Sequence, residues 1–271
     1  MIDYHIHTKL CGHATGEMEQ YVERAIEIGL QEIGFNDHLP FLDVERPGLA
    51  MKLSQLPFYV QSVEQLRQKY PNIIIRLGTE VDYFPQLEQQ IADLLAQHPF
   101  DYVYGSVHFL DDWSFDSPFA LPEWNLADVD QVYEQYIDLL QQAARSGLFD
   151  ILSHLDLVKI FGFRPSRDML PEWESLIKTV AENGLAIEIN TSGLRKPVGE
   201  IYPAEEIVEL ISKYEVPIVF GSDAHRPEDV GRDFDQALAL ALKYGIKYIS
   251  QFERRKLFQE ISIESGISDR I

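Results

Sequence analysis

Seven short apolar runs, each followed by a segment of helical period, constrain the fold of this chain more than any other feature. The runs occupy residues 1–8, 32–38, 73–81, 102–108, 151–154, 186–191 and 217–223. Apolar spacing predicts helices over 17–29, 53–70, 87–97, 127–145, 172–183, 204–214 and 229–244. Gly29, Gly147 and Gly184 stand where three of these should stop, as C-cap glycines do. The 73–81 run is mostly apolar, as expected of a strand buried on both faces. Alternation without a break in composition predicts a single α/β domain over 1–271, built on a parallel sheet. Periodicity alone leaves closure of the sheet open. Polar strand ends spread over nearly all the strands fit a closed, TIM-like barrel better than an open sheet, whose site gathers at one switch point. Residues 111–125, rich in aromatics and proline, show no period and read as a loop over the site. The tail reads as a short strand at 248–250 and a final helical segment.

The charge balance narrows the partners. Lys plus Arg number 23 against 44 Asp plus Glu, a formal charge of −21, so the surface repels a phosphate backbone and nucleic acid is not expected as the partner. No basic stretch followed by an apolar run opens the chain, and no apolar run is long enough to cross a membrane. The single Cys11 excludes an internal disulfide and suits a reducing cytoplasm. Standing two residues before His13, it reads first as a small buried hydrophobe, with a metal role as the alternative.

His5 and His7 lie two apart on the first strand, so both side chains point to one face. A His-x-His pair arises by chance in about one chain in four of this composition, so the pair by itself is weak. The other histidines change that. Six of the seven predicted strands end on a metal-ligand type: His5 and His7, His38, Glu80, His108, His154, and Asp223 with His225. His13 follows the first strand closely, and only His98 falls outside the set. Parallel α/β folds carry their sites at the C-terminal strand ends, so these residues can converge. So many imidazoles with two carboxylates exceed the needs of one ion with open positions. Two or three ions fit, and nitrogen-rich ligation favours Zn, Fe or Mn over Mg or Ca. Such a centre is locally positive within an acidic protein and suits an anionic substrate.

The pieces His5-Ile-His7, Asp37-His38, Glu80, His108, Ser153-His154 and Asp223-Ala-His225 resemble the polymerase-and-histidinol-phosphatase (PHP) superfamily over essentially the whole chain. The segment 189–197 (INTSGLRKP) with Ile201-Tyr-Pro203 is most similar to its histidinol-phosphatase branch. The resemblance implies a distorted seven-stranded (β/α)7 barrel with three divalent transition-metal ions. It assigns His5, His7, Glu80 and Asp223 to one ion. Glu80, as a bridge, joins His108 and His154 on a second, and His13, His38 and His225 hold the third. It further implies hydrolysis of a small phosphate monoester, L-histidinol phosphate, to L-histidinol and phosphate in histidine biosynthesis. A water activated by the ions serves as nucleophile, so no Ser or Cys is needed. The leaving alkoxide takes its proton from a metal-bound water, Asp223 or His225. Arg164 and Arg195, each in a loop after a strand, are expected to clamp the phosphate, since guanidinium suits bidentate contacts. Two alternatives remain: a PHP-type phosphoesterase acting on nucleotides, oligonucleotide ends or phosphotyrosine proteins, and a non-enzymatic metal-storage or regulatory module. The lack of a basic stripe weighs against the first.

Overall fold

The computed structural model describes residues 1–263. Among these, two parallel sheets lie at the centre of the molecule. One is formed by β1 (Ile2–Ile6), β2 (Glu32–Phe35) and β3 (Ile74–Leu77), in that order. The other contains β4 (Glu80–Asp82), β5 (Tyr104–Ser106), β8 (Ile151–Leu152), β9 (Ala186–Asn190) and β10 (Ile218–Gly221), in the order β10-β9-β8-β5-β4. Backbone hydrogen bonds link the sheets at both edges. His7 N donates to Ala224 O at 2.9 Å and Ala224 N to His5 O at 3.0 Å; Leu39 N donates to Glu80 O at 2.8 Å and Glu80 N to Asp37 O at 3.1 Å.

The expected continuous strand over 73–81 is thus two strands, β3 and β4, interrupted at Gly78 and Thr79. The Tyr102 ring lies against this break. A Cβ on Gly78 would come within 2.2 Å of it, and one on Gly34 within 1.9 Å of its hydroxyl. Glycine is needed at both positions because a buried tyrosine takes the space. Tyr102 stacks on Tyr4 at 4.7 Å and donates its hydroxyl to Tyr4 O at 2.8 Å.

The helices follow the sequence pattern closely: α1 (Met18–Glu27), α2 (Leu56–Lys69), α3 (Glu88–Leu95), α5 (Val129–Arg145), α6 (Leu170–Asn183), α7 (Glu205–Lys213) and α8 (Phe234–Lys243). Asp128 caps α5 by accepting from Asp130 N and Gln131 N. Gly184 ends α6 at φ +70°. No helix among the described residues is long and apolar enough to cross a membrane.

Two expectations need correction. Residues 111–125 are not an irregular loop. The strand β6 (Phe109–Leu110) pairs with β7 (Trp113–Ser114), and a short helix α4 (Leu121–Trp124) follows. Aromatic packing holds this segment where no period exists: buried Trp124 lies flat on Phe163 at 5.0 Å and donates its indole N–H to Phe115 O at 2.7 Å. The tail is an antiparallel hairpin, β11 (Tyr248–Glu253) with β12 (Lys256–Ser262), rather than a strand and a helix. It packs under the sheet. Gln251 donates to Glu32 and Phe252 N to the Tyr4 hydroxyl. Any helix expected beyond 263 lies outside the described residues.

Candidate metal centre

The C-terminal strand ends open onto a cavity of about 810 Å³ whose wall includes His13, His38, Glu80, His108, His154, Asp223 and His225. His5 in β1 and His7 just past it, both fully buried, point to the same face, as the two-residue period requires, with ring centroids 5.0 Å apart. Glu80, at the start of β4, divides its two oxygens. Oε2 lies 3.3 Å from His5 Nε2, 3.5 Å from His7 Nε2 and 3.3 Å from His38 Nδ1. Oε1 lies 3.0 Å from His154 Nε2 and 3.7 Å from His108 Nε2, and accepts from Ser106 Oγ at 2.6 Å. Asp223 Oδ1 approaches His7 Nε2 at 3.2 Å and His5 Nε2 at 3.8 Å. Its backbone is left-handed, φ +53°, a conformation Asp tolerates better than most side chains. Among non-glycine residues that conformation often marks a functional position.

These side chains fit cations better than they fit one another. His5 Nε2, both nitrogens of His7 and His38 Nδ1 are buried without a hydrogen-bond partner. Elsewhere imidazole nitrogens meet in pairs, His108 Nε2 with His154 Nε2 at 3.2 Å and His13 Nε2 with His225 Nε2 at 2.9 Å. Ligand atoms within 4.8 Å of one another are offered by several groups, among them His5, His7 and Glu80; His7, His38 and His225; and Cys11, His13 and His225. Burial pushes the Glu80 carboxyl up, but His5 and His38 outweigh it and hold the group well below the usual range. Asp223 is likewise raised by burial and brought far lower by His5, His7 and His225. Burial lowers His5, yet Glu188, Glu80 and Asp223 reverse this and draw positive charge onto it. His38 and His225 are pushed well down by burial and stay neutral. Buried carboxylates held ionised among converging imidazoles are the donor set of a transition-metal site.

Second partners orient the rings. His108 Nδ1 lies 2.9 Å from Asp82 Oδ1, which outweighs burial and lifts His108 to about 10. His5 Nδ1 lies 2.7 Å from Glu188 Oε1 and His13 Nδ1 lies 3.0 Å from Gly48 O, whereas His7 Nδ1 approaches Asp37 Oδ1 at 3.5 Å without a hydrogen bond. Ser192 Oγ donates to Asp223 Oδ2 at 3.0 Å. Sequence reasoning assigned no role to Asp37, Asp82, Glu188 or Ser192. Glu188 had a signal, a charged residue inside an apolar run, and so did Asp82, on the same strand face as Glu80.

Cys11 is fully buried, accepts from Ala14 N at 3.3 Å, and is pushed by burial up to about 12. Its sulfur also lies within reach of His13 and His225. His98 stands apart from the cavity, beside Phe100. Arg195 lines the cavity, its guanidinium donating to Ser222 O and to Thr191 O at 3.4 Å. Arg164 is not brought there. It lines a neighbouring cavity and donates to Glu200 Oε1 at 2.7 Å. Arg226 and Lys196, neither given a role from the sequence, also line the metal cavity.

The PHP domain matches residues 3–192, and the PHP-associated region matches 204–234. This chain belongs to the PHP family. It is 39% identical over 259 residues to the protein of Deinococcus radiodurans named "Probable histidinol-phosphatase", covering 95% of this chain and 98% of that one. It is 31% identical over 264 residues to the histidinol-phosphatase of Bacillus subtilis, covering 87% and 97% of the two chains. The crystal structure of the Lactococcus lactis histidinol phosphate phosphatase, complexed with zinc, L-histidinol and phosphate, shares the α/β fold at a TM-score of 0.79 and 23% identity. The match covers 95% of this PHP protein and 98% of that chain.

Proposed function

We propose that this PHP protein is a metal-dependent phosphoric monoester hydrolase that converts L-histidinol phosphate to L-histidinol and phosphate in histidine biosynthesis. The observation that carries the reading is the convergence of His5, His7, His38, Glu80, His108, His154, Asp223, His225 and His13 with buried ring nitrogens that have no protein partner. The two histidinol-phosphatase relatives, similar over almost their whole length, support the substrate. We take the fold to be a distorted seven-stranded (β/α)7 barrel in one domain, with β3 and β4 as a single interrupted strand; the hydrogen bonds at both sheet junctions support closure. The enzyme would act in the cytoplasm on a small molecule, with neither nucleic acid nor membrane as partner, in keeping with a charge of −21.

His5, His7, Glu80 and Asp223 would hold one divalent ion; Glu80, His108 and His154 a second; His13, His38 and His225 a third, with Zn, Fe or Mn matching the donors. Bound there, the ions would supply a water of lowered pKa and offset charge on the phosphoryl oxygens. The protein's own groups do the rest. Glu80 keeps the two halves of the ligand set together by giving one oxygen to each. Arg195, seated on two backbone carbonyls with Asp233 Oδ2 3.6 Å from Nη1, would face the phosphoryl group. Arg226 and Lys196, which make no ion pair among the described residues, add positive charge at the rim. The departing alkoxide would take the proton that the attacking water gives up, either from a second water in the site or relayed by Asp223 or His225, whose Oδ1 and Nδ1 are 3.4 Å apart.

The test is turnover of histidinol phosphate beside panels of nucleotides and phosphotyrosine peptides, with and without chelator. Histidinol phosphate should lead in kcat/KM by roughly a hundredfold or more, and chelation should abolish the activity. A nucleotide or phosphotyrosine preference would overturn the substrate, and indifference to chelator the metal centre.

A further inference from the structure

Strand β9 supplies no metal ligand in the reading above, yet Glu188 sits at the middle of its buried run and is itself fully buried. Its Oε1 lies 2.7 Å from His5 Nδ1, while Oε2 accepts from His154 N at 2.8 Å and from Asn190 Nδ2 at 3.0 Å. Gly221 on β10 leaves the space for this. A Cβ there would lie 1.8 Å from Glu188 Oε1 and 2.8 Å from His5 Cβ. No Lys or Arg pairs with Glu188 among the described residues; its one ion-pair partner is His5.

We propose that Glu188 is a positioning residue that keeps the His5 proton on Nδ1 and so turns the lone pair of Nε2 into the metal cavity. The inference rests on the metal-centre reading above. A carboxylate has acceptors only, and two N–H groups already occupy Oε2, so Oε1 requires a donor and the imidazole must present Nδ1–H. Nε2 is then the nitrogen left to give its lone pair to an ion, and the structure leaves it without a hydrogen-bond partner, 3.3 Å from Glu80 Oε2 and 3.8 Å from Asp223 Oδ1. Through its other oxygen the same carboxylate fixes the backbone of His154, a ligand assigned to a different ion.

Glutamine at 188 would preserve the size and reverse this logic. With its carbonyl on His154 N and Asn190, its amide N–H₂ faces His5 Nδ1, the ring proton moves to Nε2, and His5 ceases to be a ligand. Turned over, the amide confronts two buried N–H donors and leaves them unsatisfied. Aspartate is shorter but, like glutamate, offers acceptors only.

The experiment titrates metal-free full-length protein with Zn²⁺ against a chelator of known affinity, for the wild type, Glu188→Gln and Glu188→Asp. Imidazole ¹⁵N NMR of the zinc-loaded wild type reads the His5 tautomer. Glu188→Gln should lose roughly 10- to 100-fold in zinc affinity, and Glu188→Asp should retain more of it. A packing role requires the opposite order, because glutamine is the closer match in volume. Equal affinity of Glu188→Gln and wild type, or a weaker Glu188→Asp, overturns the inference. If Glu188→Gln fails to fold, the wild-type tautomer decides: a proton on His5 Nε2 refutes it. A wild type that binds no zinc overturns the metal-centre reading itself, and this inference with it.

Discussion

Two cavities lie side by side in this molecule with Leu194 on the wall of both, and the larger is not the one built for chemistry. The larger, about 1150 Å³, is lined by charges that already answer one another. Lys159 lies 2.9 Å from Asp156 and 3.1 Å from Glu200, Arg164 lies 2.7 Å from Glu200, and Arg167 lies 2.6 Å from Glu172. The smaller, about 810 Å³, holds imidazoles whose lone pairs have no donor to meet and carboxylates whose neighbours are mainly those imidazoles. Mutual pairing neutralises a surface. Unpaired, converging lone pairs leave a site that only a cation completes. Volume ranks the two cavities one way and hydrogen-bond satisfaction the other, and satisfaction is the better guide to where reactivity sits.

The comparison breaks most violently at Glu80. Glu80→Ala removes a carboxylate from both halves of the ligand set, and turnover should fall by at least roughly a thousandfold, as when a nucleophile-activating metal is lost. A variant keeping a tenth of wild-type turnover with full metal content by elemental analysis would refute the bridging role.

Arg195→Ala tests whether the smaller cavity also reads phosphate. It should leave metal content intact and reduce kcat/KM by roughly 2–4 kcal/mol, the range for a desolvated charged contact. Arg195→Lys should recover only part, since it keeps the charge but not the fork. Wild-type kinetics in Arg195→Ala would leave this residue as an anchor between two loops.

Arg164→Ala probes the larger cavity. Its side chain is 43% exposed and paired with Glu200, so the change in kcat/KM and in stability should each stay within about 1 kcal/mol. A loss equal to that of Arg195→Ala would mean that the two cavities act together and that the distinction drawn between them is wrong. Smallest of all, His98→Ala should leave metal content and turnover at wild-type values, because His98 stands outside both cavities. A lost metal ion in that variant would move the centre.

The candidate ligands were legible because strand ends and residue types are local. A two-residue period puts His5 and His7 on one face, and parallel strands all present their C-terminal ends to the same side. Arg164 and Arg195 looked alike by the same logic, each a guanidinium in a loop after a strand. The paths of the two loops separate them, sending one to Glu200 and the other to the carbonyls of Ser222 and Thr191.

Alone, the sequence determined the α/β alternation and the placing of candidate ligands just past strand ends, His38, His108, His154 and Asp223 among them. Helical and strand periods, caps and residue chemistry act over a few neighbouring positions and survive without knowledge of the rest of the chain. Only the tertiary structure decided that the 73–81 run breaks against Tyr102, that the tail is a hairpin under Tyr4 and Glu32, and that Glu188 answers His5 across 183 residues. Those outcomes depend on sheet curvature and register, which bring one of 44 acidic side chains within hydrogen-bond reach of one ring nitrogen. No local pattern contains that information, because it exists only once the strands are side by side.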